Sequence, residues 1–176
     1  MLVYIQYVLL TRCLEIQAHH HVVDLGAGAC LVASAIAQRV GLRRPVLCVD
    51  PSQEMLDMGR GLPGVKTHCG GDMAWINTMK EESIDRIFIR QAVHHFDQER
   101  LRDIFGGILK MLKPGGKLCI SKRGDLEEMF PWPEGFYKER SKEEIPIEGL
   151  REILREVGFT KFMLTKFVLS EVFCIL

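Results

Sequence analysis

Two hydrophobic rhythms alternate along this chain: short continuous apolar runs, and longer stretches with apolar positions at helical spacing. Leu2, Ile5, Leu9, Cys13 and Ile16 make one stripe and predict a helix over residues 2–17. The opening MLVYIQYVLL is apolar nearly all round, so that helix should be buried on more than one side. Residues 22–24 read as a first buried strand and Leu31–Val40 as the helix after it. Val46–Asp50 is a second strand, and Ser52 can cap the helix carrying Met55 and Leu56. Residues 65–68, Ile84–Arg90 and 117–121 are further strands. Leu101, Ile104, Phe105, Ile108 and Leu112 mark the strongest helix, with Asp97 as its cap. Gly106 and Gly107 weaken that helix by about 1 kcal/mol each, which close packing on a neighbour would explain.

Lys113-Pro114-Gly115-Gly116 then turns the chain into the strand at 117–121. Residues 123–146 form a long connection holding Phe130, Trp132, Phe136 and Tyr137, which either lid a pocket or staple the loop to the sheet. Ile147, Leu150, Leu154 and Val157 mark a last helix closed by Gly158, and the tail from Phe159 is β-rich. Strand and helix alternate, which predicts an α/β fold: a doubly wound, mostly parallel sheet with helices on both faces. No internal boundary is evident, so residues 1–176 read as one domain with a short N-terminal helix.

Composition adds little and excludes some classes. The chain is 47% hydrophobic and 26% charged, as ordinary globular proteins are. Lys+Arg and Asp+Glu both number 23, which argues against a phosphate-rich partner such as nucleic acid. No apolar run has the length of a membrane span, and the opening lacks a basic leader, so a cytoplasmic protein is expected. The six cysteines are scattered singly and read as small buried hydrophobes in a reducing compartment.

The chemistry lies at the strand ends, where open parallel sheets bind ligands. VVDLGAGAC places Asp24 at the tip of the first strand, followed by Gly26 and Gly28, which let backbone pass close to a ligand. An acid there repels a pyrophosphate and suits a cation. Asp50 follows the glycine turn by about 20 residues, the spacing of a carboxylate that grips a ribose. Asp72 in GGDM could accept from the exocyclic amine of a purine, with Met55 and Met73 packing on its ring. Arg90 and Gln91 close the fourth strand. Three acids and an apolar slot fit a nucleoside whose other end is positive, and S-adenosylmethionine is such a molecule.

These segments resemble the class I S-adenosylmethionine-dependent methyltransferases. VVDLGAGAC is similar to that family's first motif, VLCVDPSQEML to its ribose-side motif and GGDMAW to its adenine-side acid. IDRIFIRQAVHHF is similar to the fourth strand and active-site segment of the small-molecule branch, and LKPGGKLCI to the turn and fifth strand. The resemblance implies a Rossmann-like sheet of order 3-2-1-4-5-7-6 with an antiparallel seventh strand. It implies a cofactor site at Asp24, Gly26, Ala27, Gly28, Asp50, Pro51, Met55, Asp72, Met73, Arg90 and Gln91. His94 and His95 are the candidate catalytic bases, and a small molecule is the expected acceptor.

The chain departs from the family at Cys30, which stands where a third glycine is usual and is expected to narrow the turn, at the least demanding of the three positions. Only about 20 residues precede the first strand, fewer than the family's usual lid. The apolar first helix offers a contact for a second copy or a partner chain. The segment after the fourth strand is not the (N/D)PPY of amino-methylating enzymes, and the proline-cysteine pair of C5-cytosine enzymes is missing. The run His19-His20-His21 enters a strand, where neighbours point alternately, so solvated loop residues are expected rather than metal ligands. Two competing readings stay open: a non-catalytic binding or scaffold domain, and an NAD-dependent dehydrogenase. The last position of GxGxxG is Leu31, which counts against the second.

Overall fold

The computed structural model describes the backbone of residues 10–70, 72–122, 145–167 and 170–175. β1 (Val22–Leu25) is buried along its whole length, so its apolar residues face cores on both sides. Parallel neighbours flank it: β2 (Val46–Asp50) and β4 (Ile84–Arg90). β3 (Val65–Cys69) extends the sheet parallel to β2, and β5 (Leu112–Lys122) extends it parallel to β4. β6 (Phe162–Phe167) and β7 (Ser170–Ile175) complete seven strands in the order β3-β2-β1-β4-β5-β7-β6, with β7 antiparallel to both neighbours. This is the order that the family resemblance implies.

Strand alternation separates two cores. Val23, Leu25, Ile87, Ile89, Leu118 and Ile120 face one side, under α4 (Leu101–Met111) and α5 (Ile147–Glu156). Val22, Cys48, Phe88 and Cys119 face the other, under α1 (Leu31–Val40). α2 (Gln53–Met58) follows β2, and Ser52 caps it by accepting from the Met55 N–H. A short helix not anticipated from sequence, α3 (Asp72–Ile76), packs against α4. A Cβ on Gly107 would lie 2.3 Å from Ile76 Cγ2, so this contact explains that glycine. Gly106 has open space around it, and packing does not explain it.

The first helix, the histidine run and residues 113–116 also differ from expectation. The first helix does not run to residue 17: among the described residues it covers 10–14. Glu15 turns left-handed (φ 48°), and the Arg86 Nε donates to the Leu14 carbonyl, tying the helix end to β4. Leu2, Ile5 and Leu9 lie outside the described residues. The histidine run is not simply solvated. His20 is buried and its Nδ1 accepts the Gln17 N–H, while His21 Nδ1 lies 3.2 Å from the Ser83 carbonyl. Residues 113–116 are not outside the fifth strand but form an irregularity within β5, where the register shifts between Ile84 and Arg86.

Asp97 caps a short 3-10 turn (Gln98–Arg100) that runs directly into α4. The aromatic residues at 130–137 lie outside the described residues. Cys13, Cys30, Cys48 and Cys119 are buried as expected, whereas Cys69 is exposed. No helix among the described residues is long and apolar enough to cross a membrane.

Candidate functional site

The glycine turn leaves β1 at Leu25 and is tied to β2 at several points. Gly26 and Ala27 both donate to the Val49 carbonyl, at 2.8 and 3.1 Å. Gly28 donates to Asp50 Oδ2 at 2.8 Å, and Ser52 donates to Asp50 Oδ1 at 2.9 Å. The Asp50 carboxylate therefore spans the turn after β1 and the start of α2. Each of its oxygens keeps lone-pair capacity for another donor.

Gly26 adopts φ 79°, and a Cβ there would lie 2.3 Å from the Cβ of Ala92. Both the backbone conformation and the close approach require glycine. The contact joins the turn to the segment that leaves β4. There Gln91 is held left-handed (φ 51°), its N–H donating 2.6 Å to the Ser121 carbonyl. A non-glycine residue in that conformation costs roughly 1–2 kcal/mol, so the surrounding structure must hold it.

Asp24 is 2% exposed, at the end of β1 between Cys48 of β2 and Phe88 of β4. Its Oδ1 is buried with no hydrogen-bond partner among the described residues. Burial pushes its carboxyl up to about 8, the positive Arg90 partly opposes the shift, and the negative Asp50 adds to it. A buried, unsatisfied carboxyl oxygen is costly unless a ligand pairs with it. Asp24, Asp50, Gly26, Ala27, Gly28, Arg90 and Gln91 thus come together at neighbouring strand ends.

Met55 is exposed on α2, with its Cε 3.3 Å from where a Gly28 Cβ would be, so it flanks the turn. Pro51 is exposed between Asp50 and Ser52, and its carbonyl accepts from the Cys69 thiol at 3.6 Å. Asp72 opens α3 just beyond Gly70, whose N–H donates to the Asp50 carbonyl at 3.1 Å; the Asp72 side chain lies outside the described structure. Met73 is partly buried and packs against the core under α4, so the structure gives it a core contact as well as its position near the β3 end. His94 and His95 are exposed on the turn after Ala92, their ring centroids 4.0 Å apart.

Cys30 differs from the sequence expectation. Its φ is 58°, a left-handed conformation that favours glycine, so the position is demanding. Its side chain is fully buried, and the thiol donates to the Gly28 carbonyl at 3.6 Å and contacts the Cys48 thiol. It fills the core beneath the turn rather than narrowing the exposed side. Ala92 and Gly59 were not anticipated as site residues. A Cβ on Gly59 would lie 2.6 Å from the Ala29 carbonyl oxygen, so Gly59 lets the end of α2 close on the turn. A glycine after a short helix looks the same in sequence whether it caps the helix or makes such a contact.

Residues 22–116, more than half of the chain, match the family model described as a methyltransferase domain. The chain belongs to that family. Methyltransferase domains use S-adenosylmethionine, and the orphaned Asp24 oxygen beside the glycine turn fits the cationic amino-acid end of that molecule. No curated protein matches the chain.

Among solved structures, this methyltransferase domain resembles an S-adenosylmethionine-dependent methyltransferase from Archaeoglobus fulgidus (TM-score 0.78, 14% identity, 98% of this chain and 93% of that one). It also resembles phosphoethanolamine N-methyltransferase 2 of Haemonchus contortus in complex with S-adenosyl-L-methionine (TM-score 0.77, 18% identity, 98% of this chain). The present chain spans 52% of that protein. A third similar structure is the [4+2]-cyclase SpnF (TM-score 0.68, 21% identity, 92% of this chain and 57% of that one). At these identities the likeness shows the fold, and a cyclase within it means that the chemistry must be argued from the site.

Proposed function

We propose that this methyltransferase domain moves the methyl group of S-adenosylmethionine to a small-molecule acceptor. The observation that carries the reading is the buried Asp24 oxygen, without a partner among the described residues, beside the glycine turn. The N–H groups of Gly26, Ala27 and Gly28, where a pyrophosphate would dock, already donate to Val49 and Asp50, which disfavours a dinucleotide dehydrogenase.

When bound, S-adenosylmethionine supplies an electrophilic methyl carbon on a sulfonium, with a neutral thioether as leaving group. The protein's part is to position and to exclude water. Asp24 takes the ammonium. Asp50, already fixed by the Gly28 and Ser52 N–H groups, turns its remaining lone pairs to the ribose hydroxyls. Gly26, Ala27 and Gly28 let the amino-acid end lie close to backbone, and Pro51 and Met55 border the nucleoside. Asp72 and Met73 take the purine side, and Arg90 and Gln91 shape the floor at the end of β4. His94 or His95 removes a proton from an acceptor that arrives protonated; their exposed rings lie just past the contact between Ala92 and Gly26.

Isothermal titration of the protein with S-adenosylmethionine and with NAD tests the cofactor. Binding of the first alone is expected, and binding of NAD alone would overturn the reading. Incubation with metabolite pools, scored by release of S-adenosylhomocysteine, then tests the acceptor class. A binder that turns over no acceptor in any pool, protein acceptors included, is a binding or scaffold domain instead.

A further inference from the structure

We propose that Asp24 carries a proton in the free protein and surrenders it when the ammonium group of S-adenosylmethionine docks, so that cofactor binding releases one proton to solvent. This rests on the cofactor reading above and adds a proton to its binding equilibrium.

The geometry starts with what surrounds the carboxyl. Asp24 lies one residue before the end of β1, a strand buried between two others, and its lateral neighbours in register are Cys48 and Phe88, neither of them charged. The turn that follows offers backbone N–H groups, the usual stabilisers of a carboxylate at such a place. They are spent elsewhere: Gly26 and Ala27 donate to Val49, and Gly28 donates to Asp50. Asp50 therefore receives the donors, while an oxygen of Asp24 buried nearby receives none among the described residues.

The charges facing Asp24 pull in opposite directions. Arg90, at the end of β4, favours the ionised form, and Asp50, at the end of β2, disfavours it. Among the described residues, the thiols of Cys30, at the start of α1, and Cys48, on β2, also interact with Asp24. Burial pushes both thiols up, which keeps them neutral. Burial is the largest influence on Asp24 itself and holds its carboxyl at about 8.

An ammonium group within hydrogen-bonding reach supplies both missing items, a positive charge and N–H donors. The balance is simple. The carboxylic acid loses its proton to solvent, the carboxylate pairs with the ammonium, and no covalent bond changes. Affinity for the cofactor then rises with pH, by up to about tenfold per unit below the Asp24 value.

The test is calorimetric titration of S-adenosylmethionine into the whole protein in two buffers of different ionisation heat. It is run at about pH 6.5, where an α-amino group is already an ammonium. The two heats give the number of protons exchanged, and release of about one per cofactor is expected. Release of less than about half a proton overturns the proposal and leaves the cofactor assignment standing. Absence of any binding by folded protein overturns the cofactor assignment itself. Infrared difference spectra locate the proton: the carbonyl band of a protonated carboxyl should vanish on cofactor addition. The same band should be missing from free Asp24→Asn. Persistence of the band in that variant, or in the saturated wild type, overturns the proposal.

Discussion

The Gly28 N–H donates to Asp50 Oδ2 at 2.8 Å and so ties the turn after β1 to the acid that ends β2. One carboxylate thus fixes the backbone of the glycine turn and, through Ser52, the start of α2. Replacing Asp50 with Ala removes both acceptors. The expected cost is about 1–3 kcal/mol in urea unfolding, together with a loss of S-adenosylmethionine affinity in calorimetry. Asp50→Asn retains an acceptor and should cost less stability than Asp50→Ala while still losing affinity.

Gly26 and Ala92 leave no room for another carbon between them. Gly26→Ala should destabilise by about 2 kcal/mol or more, combining overpacking with a strained positive φ. Ala92→Gly in the same chain opens the space and leaves the strain. The double variant should recover part of the loss, which a double-mutant cycle in urea measures. Strict additivity would show that the two residues do not meet.

Cys30 is left-handed and buried. Cys30→Gly relieves backbone strain of roughly 1–2 kcal/mol, gives back about 1 kcal/mol of unfolded-state freedom and loses the thiol's packing. The result should lie within about 1 kcal/mol of the wild type. Its cofactor affinity should change by less than about threefold, or ~0.7 kcal/mol, because the thiol faces the core. Cys30→Val brings a β-branched residue to the same φ and should destabilise clearly.

Asp85 accepts from the His21 N–H at 2.7 Å and from Lys113 at 2.9 Å. Burial works against its carboxylate, but these partners together hold the carboxyl below its usual range. The sign follows from that depression. The stability is present above the unfolded value, near pH 4, and is lost as pH falls through the lower folded value. Asp85→Asn should therefore lower the urea midpoint at neutral pH, and the two proteins should converge in strong acid.

Asp24 has the opposite sign. Its carboxyl stands at about 8 in the fold against 3.8 ordinarily, so protonation favours the folded chain. That contribution is complete below the ordinary value and is lost as pH rises through about 8. Free Asp24→Asn should gain on the wild type as pH rises between these limits, measured by urea midpoints without cofactor. A parallel pair of profiles would show that burial does not control this group.

The strand ends were legible because their signals are local. Val22-Val23-Asp24 followed by glycines can hardly be anything but a buried strand and a close turn, and the helical stripe from Leu101 holds one register throughout. What stayed hidden depends on contacts between distant segments. Nothing in AVHHF says that Ala92 rests on Gly26, and nothing in HHHV says that the middle histidine is buried against the Gln17 N–H. The handedness at Cys30 was hidden too, because only glycine announces a positive φ by its identity.

The place of β7 governs how the sheet can assemble. This strand comes later in sequence than β6 yet lies inside it, pairing with β5 on one side and β6 on the other. Among the described strands β6 has no other neighbour, so it docks on the sheet only once the chain has doubled back past it. Until then the flank of β5 is an open template for foreign strands. A chain cut between β6 and β7 would accordingly lose two strands from its sheet, with one of them still attached.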